Sequence, residues 1–130
     1  MKIVVAVDSF KGSLSSLEAG SAISEGIHRV MDDADIVITG EGGLDGQTVM
    51  GKAPIGVAGI AKNYQKPVIA FSSCVVEDAT ACNQHGIDAF FPILRTVTTL
   101  DDAMCPETAR KNMVAAVEQV FRLIKTLGLN

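Results

Sequence analysis

The sequence predicts an α/β protein: a three-layer, doubly wound sheet, mainly parallel, of about four strands, in the Rossmann-like or flavodoxin-like manner. Three observations predict it. Short β-branched runs alternate with longer stretches of helical period, the pattern of parallel strands joined by helical crossovers. The first run, Ile3-Val4-Val5-Ala6-Val7, is apolar at every position, as expected of a strand covered on both faces. The most unusual polar residues follow directly after such runs, where a parallel sheet presents its carboxyl ends to ligands.

The elements follow in order. Residues 3–7 form the first strand. Ser15-Ser16-Leu17-Glu18 has capping-box spacing and opens a helix with Leu17, Ile23, Ile27, Val30 and Met31 as its apolar stripe. Residues 35–39 read as a second strand and residues 40–46 as a glycine-rich loop. Residues 52–64 read as a helix, with Pro54 where a first-turn proline is tolerated. Residues 67–72 give a third strand, and residues 77–85 a short helix stopped by Gly86. Residues 88–93 give a short fourth strand. Pro106 opens the last helix, with Met113, Ala116, Val117, Val120, Phe121, Ile124 and Leu127 on one face and Gly128 beyond it. No internal repeat or linker interrupts the chain, so residues 1–130 read as a single domain.

Composition narrows the partners. Hydrophobic residues make up 48% and charged residues 20%, the balance of a folded globular chain. A net charge of -4 speaks against nucleic acid, which needs a basic face. Phosphate ligands stay open, because backbone amides and one or two placed cations hold them locally. The first apolar run is too short for a signal peptide or a membrane span. Cys74, Cys82 and Cys105 form no CxxC pair and read as free thiols of a reducing compartment, so a cytoplasmic location is expected.

Two segments carry the candidate chemistry. In Asp8-Ser9-Phe10-Lys11-Gly12-Ser13 an acid, a cation and two hydroxyls lie between a strand and a helix N-terminus. Lys11 there can neutralise a phosphate oxygen, and Asp8 can hold Mg2+ or orient a hydroxyl; a plain helix-capping turn is the competing reading. The second segment, residues 40–52, holds Glu41, Asp45, Gln47, Thr48 and Lys52 among glycines that let backbone approach a ligand. Gly46 to Lys52 formally fits GxxxxGK, but Ala53 stands where a phosphate-binding loop needs Ser or Thr. The dinucleotide fingerprint fails as well, since Asp45 occupies the third glycine position. His28 and His85 lie at helix ends and read as capping or solvated groups. Cys74 has no identifiable activating base and reads as a packed thiol.

These segments resemble a known family. Asp8-Ser9-Phe10-Lys11-Gly12-Ser13-Leu14 after the first strand is similar to the N-terminal signature of bacterial glycerate kinases. Residues 33–54 resemble that family's second signature, and residues 86–93 fit its C-terminal part. The resemblance implies phosphorylation of D-glycerate with ATP and Mg2+ in a cleft between two domains. It implies Lys11 and Asp45 as catalytic groups, with Asp8, Ser9, Ser13, Glu41, Gln47, Thr48 and Lys52 binding phosphate and substrate; no metal ligand set is assigned. It also implies a missing central segment, with residues 1–30 matching the family's start, residues 32–130 its end, and a join near residues 30–33. Val7 replaces a usual Pro, Gly43 a usual Arg, and Ser73-Cys74 a small glycine-containing stretch. The expectation is a kinase-derived domain with little or no turnover. Its alternative is a non-catalytic engineered or decayed module, self-associating through surface that the missing domain once covered.

Overall fold

The structure is a computed structural model in which residues 1–7 and 33–129 are described. The loop over residues 8–13 and the helix expected over residues 15–31 lie outside them. Four strands, β1 (Ile3–Val7), β2 (Ile36–Leu44), β3 (Val68–Val75) and β4 (Ala89–Pro92), form one sheet in the order β1-β2-β3-β4. Every neighbouring pair is parallel. Helices α1 (Ala53–Asn63), α2 (Leu100–Met104) and α3 (Pro106–Thr126) accompany it, with 3₁₀ segments at Thr48–Met50 and Glu77–Gln84. The predicted α/β sheet of four parallel strands is therefore present.

Strand alternation divides the core in two. Val37, Val68 and Ala70 project to one side and pack with Val57, Ala58 and Ala61 of α1. Those α1 residues and Pro54 recur at helical spacing, and the two alanines let the helix axis approach the sheet closely. Ile36, Ile38, Ile69 and Phe71 project to the other side, against Val117, Val120, Phe121 and Ile124 of α3. Helices thus cover both faces, giving three layers. Gly86 closes the turn into β4 at φ +95°, and a Cβ there would lie 3.2 Å from the Ala58 side chain. Glycine is required at that crossing.

Five points differ from expectation. β2 extends to Leu44 instead of ending at residue 39, because residues 40–44 continue the ladder with β3. Glycine has poor strand propensity, but pairing decides. β3 likewise runs to Val75, the 77–84 segment is 3₁₀, and the unpredicted α2 is capped by the Thr99 hydroxyl, which accepts from the Asp102 amide at 3.2 Å. On α3, Met113 is 38% and Leu127 62% exposed, so the buried face is shorter than the apolar pattern.

Among the described residues the second core is incomplete over β1. Ile3, Val5 and Val7 project away from α1 and are 41%, 63% and 52% exposed. Val5 and Val7 border a groove of about 470 Å³ whose other walls include Ile38, Phe71, Met113 and Val117. No described helix is long and apolar enough to cross a membrane.

Candidate functional site

The site grows out of an irregularity in the sheet. β2 and β3 keep one register from Val37↔Val68 to Leu44↔Val75. Strict alternation from Val37 and Val68 would aim Leu44 and Val75 toward α3. Both instead join the core beneath α1. Both strands therefore turn over together around Gly42 and Ser73, the one step of the register without a pairing. Beyond it the chain folds back over the α1 side, and residues 45–52 return toward Glu41.

Four polar side chains meet there. The Thr48 hydroxyl, on a residue with no exposed surface, donates to Glu41 Oε1 at 2.6 Å and accepts from the Asp45 amide at 3.2 Å. Asp45 Oδ1 accepts from the Gln47 and Thr48 amides at 2.9 and 3.1 Å, a side-chain-closed turn. Lys52 Nζ stands 3.6 Å from the same oxygen, both side chains being about two-fifths exposed. Such an exposed pair contributes only about 0.2–1 kcal/mol. The hydrogen bonds of Thr48 hold the group together more than the ion pair does.

The thiol of Cys82 lies under this loop, 4.0 Å from the Asp45 carbonyl. Burial pushes it above the ordinary thiol range, and the charges of Glu41, Asp45 and Asp78 push it further. Cys74 is exposed, which corrects its reading as a packed thiol, and Cys105 is exposed too. His85 Nδ1 sits 3.0 Å from the Ala81 carbonyl at its segment's end, in keeping with a capping role.

What the glycines do differs from expectation. Gly40 and Gly43 belong to the paired end of β2, so they do not form a free loop around a ligand. A Cβ on Gly40 would lie 2.2 Å from the Phe71 carbonyl oxygen, so close strand approach explains that glycine. Gly42 and Gly43 have no atom within 4 Å of such a Cβ. At the start of α1, Ile55 and Gly56 both donate to the Lys52 carbonyl and Pro54 has no N–H. The Lys52 ammonium at that end lies beside the Asp45 carboxylate.

The structure thus brings together Glu41, Asp45, Thr48 and Lys52, with Gln47 joined through its backbone. Asp8, Ser9, Lys11 and Ser13 lie outside the described residues. Two buried hydroxyls at the same sheet end escaped the sequence reading. Ser72 bonds the kink itself, and Thr39 Oγ1 has no partner among the described residues although Thr39 is only 1% exposed. Serine and threonine inside strands are too common for either to stand out in sequence.

Comparison with known proteins decides the family. The model of the glycerate kinase family matches residues 3–34 and 28–125, together nearly all of the chain. The chain belongs to the glycerate kinase family. It is 46% identical over 92 residues to a glycerate kinase of Haemophilus influenzae, a match covering 71% of this chain and 24% of that protein. It is 43% identical over 93 residues to a glycerate 2-kinase of Escherichia coli K12, covering 72% and 23%. A Bacillus subtilis glycerate kinase is 46% identical over 103 residues, covering 77% and 26%. A crystal structure from Salmonella typhimurium LT2 described as a glycerate kinase 2 superposes with a TM-score of 0.54 at 34% identity, over 87% of this chain and 28% of that one. The chain spans about a quarter of the length of these glycerate kinases.

Proposed function

We propose that this chain retains part of the phosphate- and glycerate-holding site of a glycerate kinase, with little or no turnover of its own. The observation that carries the reading is the Glu41–Thr48–Asp45–Lys52 cluster at the carboxyl end of β2. In this reading the Lys52 ammonium holds an anionic oxygen, Gln47 reaches substrate, and Asp45 accepts the proton of the attacking glycerate hydroxyl while ADP leaves. In the same reading Lys11 is the second catalytic group, and Asp8, Ser9 and Ser13 bind phosphate and substrate.

The donor set suits Mg2+ with ATP. Glu41 commits one oxygen to the loop, leaving a second for a cation, while the free oxygen of Asp45 is kept for the proton. Among the described residues no trio of His, Cys, Asp or Glu stands close enough to hold a metal by itself. That fits an ion held by one or two carboxylates, with phosphate and water completing its shell. An ion held by these residues would neutralise charge on the transferring phosphates. Phosphoryl transfer otherwise depends on positioning and exclusion of water, and a chain of a quarter length supplies one wall of a cleft.

The test is a coupled ADP-release assay with ATP and D-glycerate, beside amide spectra of the protein titrated with Mg·ATP. The reading expects shifts at residues 45–52 that Lys52→Ala weakens by about ten-fold, one lost charged hydrogen bond. Unmoved loop amides at millimolar Mg·ATP contradict it. Gly43→Arg provides the converse: the open space at Gly43 accommodates the side chain, and a guanidinium there tightens anion binding. The second reading, a folded module without turnover that self-associates, is favoured by the exposed stripe of Ile3, Val5 and Val7. In it, Mg·ATP leaves thermal stability unchanged and light scattering reports a species larger than the monomer.

A further inference from the structure

We infer that Ser72 is the positioning residue of the loop that carries Glu41, Asp45, Thr48 and Lys52, an inference resting on the reading of that loop as ligand-bearing. Ser72 stands on β3 opposite Glu41 and is 1% exposed. Its hydroxyl accepts from the Leu44 amide at 3.1 Å and donates to the Cys74 carbonyl at 2.8 Å. One side chain thus bonds the backbone of both strands just beyond the step at which they turn over. Its carbonyl accepts from the Ile93 amide at 2.8 Å, which ties the end of β4 to the same point.

Leu44 is held twice. Its amide is taken by Ser72, and its carbonyl accepts from the Val76 amide at 3.2 Å. The next residue is Asp45, so these two bonds set the direction in which the chain leaves the sheet. From there the contacts run through the Asp45 amide to Thr48 Oγ1, from Thr48 to Glu41, and across the ladder from Glu41 back to Ser72. The ring is closed, and Ser72 is its only member on β3. Alanine at this position would remove the hydroxyl that bridges the Leu44 amide and the Cys74 carbonyl, leaving the strand ladder alone to fix Leu44, a residue with no exposed surface. The Leu44 backbone would then be held by one bond in place of two and would open more readily, loosening Asp45 and Thr48 with it.

The test compares Ser72→Ala with Ser72→Thr and with Val57→Ala, a core change under α1, by amide hydrogen exchange and by Mg·ATP titration. Ser72→Ala is expected to speed exchange at Leu44 and at residues 45–48 about ten-fold, and to weaken the loop's response to Mg·ATP by a similar factor. Ser72→Thr, which keeps the hydroxyl, restores both. Val57→Ala lowers stability without singling out these amides. Loop exchange unchanged in Ser72→Ala, or accelerated as much by Val57→Ala, overturns the inference. A measurement on the unaltered chain guards against a variant that fails to fold: the amides of Leu44, Gln47 and Thr48 should open as one unit. Unrelated rates overturn it. A wild-type loop blind to Mg·ATP defeats the ligand reading separately, because the exchange arms are read without ligand.

Discussion

At the scale of single residues, buried polar atoms decide more than exposed charges. Thr48 joins two carboxylate-bearing residues through one hydroxyl, whereas the Asp45–Lys52 pair is half in water. Thr48→Val should therefore cost about 1–3 kcal/mol in chemical denaturation, through the orphaned Asp45 amide and Glu41 carboxylate. Thr39 makes the opposite prediction. Its hydroxyl is buried without a partner among the described residues, so Thr39→Val should raise stability by about 1 kcal/mol. The cysteines differ in reactivity. Cys105 stands at the start of α3, where the Thr108 amide, the Thr108 hydroxyl and the Glu107 amide hold its thiol below the ordinary range. Alkylation mapped by mass spectrometry should modify Cys105 first and buried Cys82 last. The raised Cys82 thiol has a thermodynamic consequence. The folded state keeps its proton longer than the unfolded chain, so the associated stability is full below the unfolded value of about 8.5 and declines as pH rises toward the folded value. Cys82→Ala should flatten that alkaline decline relative to wild type, and parallel curves would show that the thiol does not contribute.

At the scale of elements, period was legible and pairing was not. The apolar run of β1 and the spacing of Pro54, Val57, Ala58 and Ala61 announce a strand and a helix from local pattern alone. The end of β2 does not, because Gly40, Gly42 and Gly43 have the composition of a loop. Their strand character comes from β3, which lies thirty residues away and supplies the hydrogen bonds. Gly40→Ala tests this. A methyl group meeting the Phe71 carbonyl at 2.2 Å must push the two strands apart, so a loss of about 1–3 kcal/mol or more is expected in thermal unfolding. An unchanged melting temperature would mean that the strands are less closely apposed. The same locality explains the candidate site. Glu41, Asp45, Thr48 and Lys52 were recognisable as residues too polar for a connector. The hydrogen bonds among them depend on the turnover of both strands at Gly42 and Ser73, which no residue type announces.

At the scale of the whole molecule, the described residues cover the sheet well on one face and incompletely on the other. Val4 and Ala6 of β1 pack toward the α1 side, while Ile3 is partly exposed and Val5 and Val7 border a groove that α3 covers only in part. Contiguous exposed apolar surface of this kind favours association. Val5→Lys should therefore reduce the mass seen by light scattering while leaving the unfolding transition in place, since Val5 is already 63% exposed. Precipitation or unfolding of that variant would mean that Val5 is buried by a contact within the chain. By itself the sequence determined the fold class, the alternation of strands and helices and the family, because periodicity and contiguous signature strings are local properties of a chain. Only the tertiary structure decided that residues 40–44 are strand, that Ser72 staples the kink, that Cys74 is exposed, and that no described helix fully covers the second face of β1. Each of these depends on a partner distant in sequence, and what lies across the space from a residue is not written in its neighbours.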